Sequence, residues 1–276
     1  MSAQRVAIVT GSNKGIGFAI VRALCKKFEG DVFLTARDEG RGNTAVNALE
    51  KEGLHPKFHS LDVTDQKSVA TLVEFIRKEY GGVDVLVHNA AIAFKSADPA
   101  PFAEQARVTV PSNFTATIKL CESFLPLMRD EGRIAIVSSM SSTMSLKKCS
   151  KENQAIFKSP DLTVEKLVQK LDEFVEAAQT GAHIEKGFPG SAYGMSKLGV
   201  TAYTRILAKK VQEMGKSNIL VNCCCPGYVI TDMTSHKGTK TPDEGAETPV
   251  HIALLPKGSK PTGEFFSDKQ VRKWYS

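Results

Sequence analysis

A short apolar run, Val6-Ala7-Ile8-Val9, passes directly into Thr10-Gly11-Ser12-Asn13-Lys14-Gly15-Ile16-Gly17, after which Phe18, Ala19, Val21, Leu24 and Phe28 recur at helical spacing. A β-branched run, a glycine loop and an amphipathic stretch in that order predict a strand, a tight turn and a helix. The same alternation continues. Val32-Phe33-Leu34 ends at Arg37-Asp38, and a polar helix with Val46 and Leu49 on one face follows. Phe58 to Val63 reads as a third strand, Val69, Leu72, Val73 and Ile76 mark a helix, and Val83 to Val87 is a fourth strand. Arg133 to Ser138 and Ile219 to Asn222 read as further strands, each preceded by a helical segment. Strands alternating with helices predict a doubly wound, Rossmann-like parallel α/β sheet covered on both faces. With no repeat and no low-complexity linker, residues 1–276 are expected to form a single domain.

Between about residues 146 and 189 the alternation stops. Val164, Leu167, Val168, Leu171, Phe174, Val175 and Ala178 fall on one helical face, with Thr163 placed as its cap. That face either packs on the chain's own core or serves a partner.

The bulk numbers narrow the function class. Hydrophobic residues make up 42% and charged residues 24% of 276, enough for a sizeable core without metal or disulfides. The net charge of +6 is spread along the chain, with no basic tract interleaved with aromatics. That suits a solvated surface or an anionic small molecule, and no nucleic acid partner is expected. Met1 to Arg5 runs straight into the first strand, without a signal-peptide layout, and there is no 18-residue apolar run. A cytoplasmic protein without membrane contact is expected. Six cysteines include Cys223-Cys224-Cys225, but no CxxC or histidine partner stands near, so no metal site is expected. They read as reduced thiols, with Cys225 as the candidate for reactivity.

The glycine loop is a candidate phosphate cradle. Gly11 permits the turn, Gly15 lets backbone approach a pyrophosphate, and Gly17 lets the helix pack closely, while the helix N-terminus offers free N–H groups. The second strand ends in Thr35-Ala36-Arg37, a cation where an NAD site usually carries an acid. Arg37, with Lys14 in the loop, suits a 2′-phosphate and so NADPH. Asp38 reads as a helix cap. Further on, Tyr193 and Lys197 stand four apart on one helical face. A fixed ammonium would lower a phenol pKa from about 10. The same pair alone also fits a plain surface. Ser139 falls at the end of a predicted parallel strand, where ligands collect in open α/β sheets; alone, it also fits a simple turn.

Taken in order, Thr10 to Gly17, Asn89-Ala90, Ser139, Tyr193 with Lys197, and Pro226-Gly227 resemble the short-chain dehydrogenase/reductase family over nearly the whole chain. TGSNKGIG at 10–17, LTARD at 34–38, KEYGGVDVLV at 78–87, SAYGMSK at 191–197 and DEGAETPV at 243–250 resemble its animal monomeric NADPH-dependent carbonyl reductases. The resemblance implies Tyr193 as general acid, Lys197 as pKa-lowering and ribose-binding, Ser139 as carbonyl-orienting, and Asn113 as holder of a water-linked proton relay. Asn13, Lys14 and Ile16 join the glycines at the cofactor. Asp62 and Val63 match an adenine-side contact, and Asn89 to Ala91 lie along the cofactor. Pro226, Gly227, Val229, Thr231 and Asp232 belong to a loop around the nicotinamide and phosphates. Met140, Tyr228 and Met233 are candidate pocket walls. Phe94, Lys95 and Gln105 match positions that contact glutathione, with Ser96 beside them where an apolar residue is expected. Fifty-four positions separate Ser139 from Tyr193, a long insert that implies a monomer.

Two stretches depart from the pattern. His88-Asn89-Ala90-Ala91 replaces the usual Asn-Asn-Ala-Gly, so Ala91 is expected to alter the strand end slightly, and His88 to be a satisfied packing residue. Pro111, two residues before Asn113, is expected to kink a helix. The activity implied is NADPH-dependent reduction of ketone, aldehyde and quinone carbonyls. A narrow steroid, prostaglandin or pterin enzyme and an idle NADPH-binding regulator are the alternatives.

Overall fold

The computed structural model describes residues 4–95, 97–216 and 218–275. Their strands form one sheet: β1 Val6–Val9, β2 Asp31–Ala36, β3 Lys57–Ser60, β4 Val83–His88, β5 Met128–Val137, β6 Leu220–Cys225, β7 Phe265–Ser267 and β8 Gln270–Arg272. The spatial order is β3-β2-β1-β4-β5-β6-β7-β8. All neighbours are parallel except β8, which runs antiparallel to β7. The chain starts in the middle, with β1 between β2 and β4. The order therefore reverses there, and the crevice at the carboxyl ends of β1 and β4 is where such sheets place ligands.

Helices cover both faces: α1 Gly15–Lys27, α2 Glu39–Glu50, α3 Gln66–Tyr80, α4 Phe102–Val110, α5 Ala116–Phe124, α6 Met140–Lys148, α7 Lys151–Lys158, α8 Val164–Gln179, α9 Ala192–Glu213 and α10 Pro242–Ala253. Val6, Ile8, Leu86, Ile136 and Val221 face one core with Leu72, Phe114 and Leu198. Ala7, Val9, Val85, Val87 and Cys224 face another with Ile20, Leu24 and Val250. Burial on both faces is why the strands read as unbroken apolar runs rather than alternating ones.

Several boundaries differ from the sequence expectation. The third strand stops at Ser60 rather than Val63, because the Asp62 carboxylate accepts from Thr64 N (2.9 Å) and from the Thr64 hydroxyl (2.6 Å), turning the chain. The fifth begins at Met128, five residues early, and passes through a left-handed Glu131 (φ 60°). The sixth runs on to Cys225. The hairpin of β7 and β8 escapes sequence reading because each strand has three residues.

The insert resolves as expected at its helix. Thr163 caps α8 by accepting from Lys166 N at 3.2 Å. Leu167, Leu171, Phe174 and Ala178 are buried, and α8 packs on α4 and α9, so its apolar face belongs to this chain's own core. Pro111 ends α4, and a π-turn over Pro111–Thr115 links it to α5. The missing proline N–H breaks the i→i−4 ladder there.

Arg133 of β5 is only 4% exposed, and its guanidinium donates to the carbonyls of Glu131 (2.7 Å), Gly132 (3.0 Å), Asn218 (3.1 Å), Leu255 (3.0 Å) and Pro256 (3.0 Å). One cation thus ties the start of β5 to the turns before β6 and after α10. Arg133→Met should leave these carbonyls without a donor and lower stability by about 3–5 kcal/mol, read as a lower urea midpoint at unchanged m.

Candidate active site

The first strand ends in a loop held by its own hydroxyls. Ser12 Oγ donates to Val9 O (2.8 Å) and accepts from Thr35 N (2.9 Å), while Thr35 Oγ1 donates to Val9 O (2.9 Å). This fastens the ends of β1 and β2. Gly11 takes φ +59°, and a Cβ there would stand 2.9 Å from Ala90 Cα. A Cβ at Gly17 would stand 2.5 Å from Gly11 O and 2.8 Å from Ser12 Cα. Both glycines are therefore required for closeness. The first turn of α1 has neither an acidic residue nor a side-chain cap, so its N–H groups remain free for an anion.

Arg37 is exposed just past β2. Burial alone would raise the Asp62 carboxyl, but the Thr64 hydrogen bonds and the Arg37 charge hold it below its usual range. Val63 lies beside it, 9% exposed. A groove of about 420 Å³ between the loop and α2 is lined by Asn13, Lys14, Phe18, Arg41 and Thr44. Arg41 is a second cation that the sequence reading passed over; Asp38, which caps α2, pairs with it at 3.2 Å. Its signal was available: it stands on the first turn of the helix after Arg37. Lys14 Nζ itself meets Asp232 at 2.5 Å, joining the glycine loop to the segment after β6. That pairing holds the Asp232 carboxyl below its usual range.

The hydroxyl of Thr10 accepts from Asn89 N and Ala90 N, both at 3.0 Å, and lies 3.0 Å from His88 Nδ1. Its one proton must then go to His88 Nδ1, which fixes the imidazole proton on Nε2. Asn89 Nδ2 donates to Thr10 O (3.1 Å) and Gly11 O (3.0 Å). His88 is 3% exposed, and burial, helped by the Lys197 charge, pushes its pKa down to about 3. Expected as a satisfied packing residue, His88 is satisfied at one nitrogen only; Nε2 has no partner among the described residues. Ala91 follows in the coil beyond β4, which keeps its regular end at His88.

Ser139 ends the run after β5 and caps α6, accepting from Ser141 N at 3.1 Å. Ser191 caps α9, which sets Tyr193 in its first turn and Lys197 one turn on. Lys197 Nζ donates to Val137 O at 2.8 Å and stands 5.8 Å from the centre of the Tyr193 ring. The two strand-end residues and the helix are sewn together by Ser138, whose hydroxyl lies 2.6 Å from Thr201 Oγ1. Asn113 sits in the π-turn, 1% exposed. Its side chain accepts from Ile92 N (2.8 Å) and donates to Ile92 O (2.9 Å) and Ser196 Oγ (3.0 Å), and Ser196 donates to Tyr193 O (2.8 Å). Asn113, two residues after Pro111, is thus bonded to Ser196 of α9, three residues beyond Tyr193.

The lowering expected of the phenol is opposed by burial, which pushes Tyr193 up to about 12 against the pull of the Ser139 hydroxyl. The ammonium is aimed at the Val137 carbonyl and the ring, and its own burial pushes it down to about 8. Desolvation is the largest cause of both shifts.

Met140 and Met144 on α6, and Tyr228, Ile230 and Met233 after β6, are large apolar side chains left exposed around this end of the sheet. In that second segment Pro226 is buried, Gly227 takes φ +92°, and Ile230 N donates to Lys240 O (2.8 Å) with Val229 buried beneath. Thr231 caps the turn Asp232–Thr234. Cys225 is buried, and Gly227 N donates to its Sγ at 3.4 Å. Phe94 is partly exposed, Lys95 is exposed, and Ser96 lies outside the described residues. Gln105 Nε2 donates to Ala100 O at 2.9 Å. Among the described residues, no hydrogen bond joins Phe94, Lys95 or Gln105 to Ser139, Tyr193 or Lys197.

The family model for short chain dehydrogenase matches residues 5–151 and 178–242, skipping the stretch that holds most of α8. Carbonyl reductase [NADPH] 1 of Bos taurus is 54% identical over 275 residues, covering 99% of each chain. The Homo sapiens protein of that name is 54% identical over 271 residues, 98% of each. Carbonyl reductase [NADPH] 3 of Rattus norvegicus is 52% identical over 275 residues, 99% of each. Among solved structures, salutaridine reductase from Papaver somniferum superposes with a TM-score of 0.86 at 33% identity, covering 96% of this chain and 100% of that one. Menthone neomenthol reductase from Mentha piperita gives 0.79 at 34% identity, covering 95% and 98%.

His88 carries a pH consequence. The unfolded chain takes up its imidazole proton near pH 6.5 and the folded chain only near 3. Stability should therefore fall as pH drops through that window, by a total of about 5 kcal/mol from this one group. His88→Asn should flatten the loss, as measured by urea midpoints from pH 7 to 3.5.

Proposed function

The chain belongs to the short-chain dehydrogenase family, and on that footing we propose that it is an NADPH-dependent carbonyl reductase, turning ketones, aldehydes and quinones into alcohols or hydroquinones. The observation that carries this reading is the convergence of Ser139 at the end of β5 with Tyr193 and Lys197 on α9, at the same carboxyl end of the sheet as the open glycine loop. The family relationship supports NADPH as the cofactor, as does the cation Arg37 in place of an acid.

The loop residues Gly11 to Gly17 would hold the pyrophosphate, Arg37 with Arg41 the 2′-phosphate, and Asn89, Ala90 and Lys197 the nicotinamide ribose side. When bound, the nicotinamide supplies the hydride that reduces the carbonyl carbon. Ser139 and Tyr193 then hold the carbonyl oxygen, and their hydroxyls stabilise its developing negative charge. Tyr193 gives that oxygen its proton, which burial keeps in place through neutral pH. Lys197 holds a positive charge below pH about 8 and fixes the second turn of α9 against β5. Asn113 keeps Ile92 and α9 in register, so both walls of the site stay placed.

The cover of α8 over α4 and α9 supports a monomer, since that face is already filled. All six cysteines are free, which supports a reducing compartment such as the cytoplasm. No described helix is long and apolar enough to cross a membrane. Exposed Lys95 offers a cation for a glutathione carboxylate, and glutathione conjugates extend the proposed substrate range.

Loss of NADPH absorbance across menadione and a panel of ketones and aldehydes is the expected result. Loss with one steroid or pterin alone would make the enzyme a narrow one, and tight NADPH binding with no loss would make it a regulator. Tyr193→Phe should lower kcat by at least about 100-fold with NADPH affinity retained; a near-normal rate would remove Tyr193 from its role. In wild type, kcat/KM should hold level below pH about 8 and decline above it as Lys197 loses its proton, a limb that stopped-flow rates across pH 6–10 would reveal.

A further inference from the structure

The chain has one tryptophan, close to its C-terminal end, and it is only 5% exposed. Trp274 follows the β7–β8 hairpin, whose last strand is exposed at all three residues. The hairpin itself does not draw the tail inward; the indole does. Its Nε1–H donates to Ser142 Oγ at 3.2 Å, and Ser142 is fully buried. Ser142 is the third residue of α6, one turn from Ser139 at the helix cap. Above the ring stands Arg205 of α9, its guanidinium carbon 5.9 Å from the indole centre and 5.4 Å from that of Tyr275. Arg205 also reaches Phe157 O (3.4 Å) and Lys158 O (3.5 Å) at the end of α7, and Lys158 Nζ lies 5.6 Å from the Tyr275 ring centre.

The tail is thus bonded to the helix that carries Ser139 and stacked on the helix that carries Tyr193 and Lys197. α6 also packs directly along α9, and the indole bond adds a fixed point on its buried side, opposite the exposed Met140 and Met144. A buried indole N–H and a buried serine hydroxyl each lose free energy if unpaired, so their bond fixes a direction as well as a contact. Oxyanion stabilisation depends on the two donors standing a set distance from one oxygen, and small displacements are costly.

We propose that Trp274 is a positioning residue for the reaction: by bonding Ser142 and stacking on Arg205, it sets the spacing between Ser139 on α6 and Tyr193 on α9. The catalytic half of this inference rests on the carbonyl reductase reading; the structural half does not.

The test uses the full chain with Trp274→Phe, which keeps a ring but loses the N–H, Ser142→Ala, which loses the acceptor, the double variant, and Ser142→Thr, which keeps a hydroxyl. Turnover of menadione, the dissociation constant of NADPH, urea midpoints and amide hydrogen exchange over residues 139–145 are measured. Trp274→Phe and Ser142→Ala are each expected to lower kcat by about tenfold with NADPH affinity unchanged. The double variant should be no worse than the poorer single one, and Ser142→Thr should approach wild type. Exchange at 139–145 should quicken in both single variants whether or not any carbonyl is turned over. If wild type itself reduces nothing, the activity reading fails, while the exchange result still decides the latch. Unchanged exchange overturns the latch. Lower urea midpoints with unchanged kcat for the folded fraction, or additive losses, overturn the positioning role. Should Trp274→Phe fail to fold, the two Ser142 variants carry the same comparison.

Discussion

The hydroxyl of Thr10 stands where β1 and β4 separate, and it holds both sides of that opening. It takes the N–H groups of Asn89 and Ala90 and faces His88 Nδ1, while Asn89 returns two bonds to the carbonyls of Thr10 and Gly11. The glycine loop leaves from one side of this knot and the segment to Ile92 and Asn113 from the other. A sheet whose strand order reverses must open a crevice there. The hydroxyl keeps the crevice at one width, because a Cβ at Gly11 would already meet Ala90. Asn113 continues the chain of bonds through Ser196 to the carbonyl of Tyr193.

Desolvation sets the chemical character of what lies along that crevice. It raises the Tyr193 phenol to about 12, lowers the Lys197 ammonium to about 8 and lowers His88 to about 3. All three shifts favour the uncharged form, as a low-dielectric environment does. The lysine sits nearest to titration at physiological pH, and its hydrogen bond to Val137 O keeps it tied to the strand end. The tyrosine keeps its proton, which suits a donor. Met140, Met144, Met233 and Tyr228 stay exposed.

Much of the fold was legible because it depends on period and on local chemistry. The strand–loop–helix opening, the Thr163 cap of α8, the Asp38 cap of α2 and the shared face of Tyr193 and Lys197 are all set by residues within a few positions of one another. Less legible were features made by distant partners. The hairpin of β7 and β8 has strands too short to show a period. Arg41 gains its place in the groove only when α2 lies beside the glycine loop.

The sequence by itself determined the order of elements, the phosphate loop and which residue types stand at the strand ends, since backbone sterics and hydrophobic spacing act locally. Only the tertiary structure decided which groups face which. It bonded Lys197 to the Val137 carbonyl, left His88 facing the Thr10 hydroxyl at Nδ1, and seated a tryptophan from the far end of the chain on Ser142. Those outcomes depend on burial and on counting donors against acceptors across the sheet. Neither quantity exists until the chain has closed on itself.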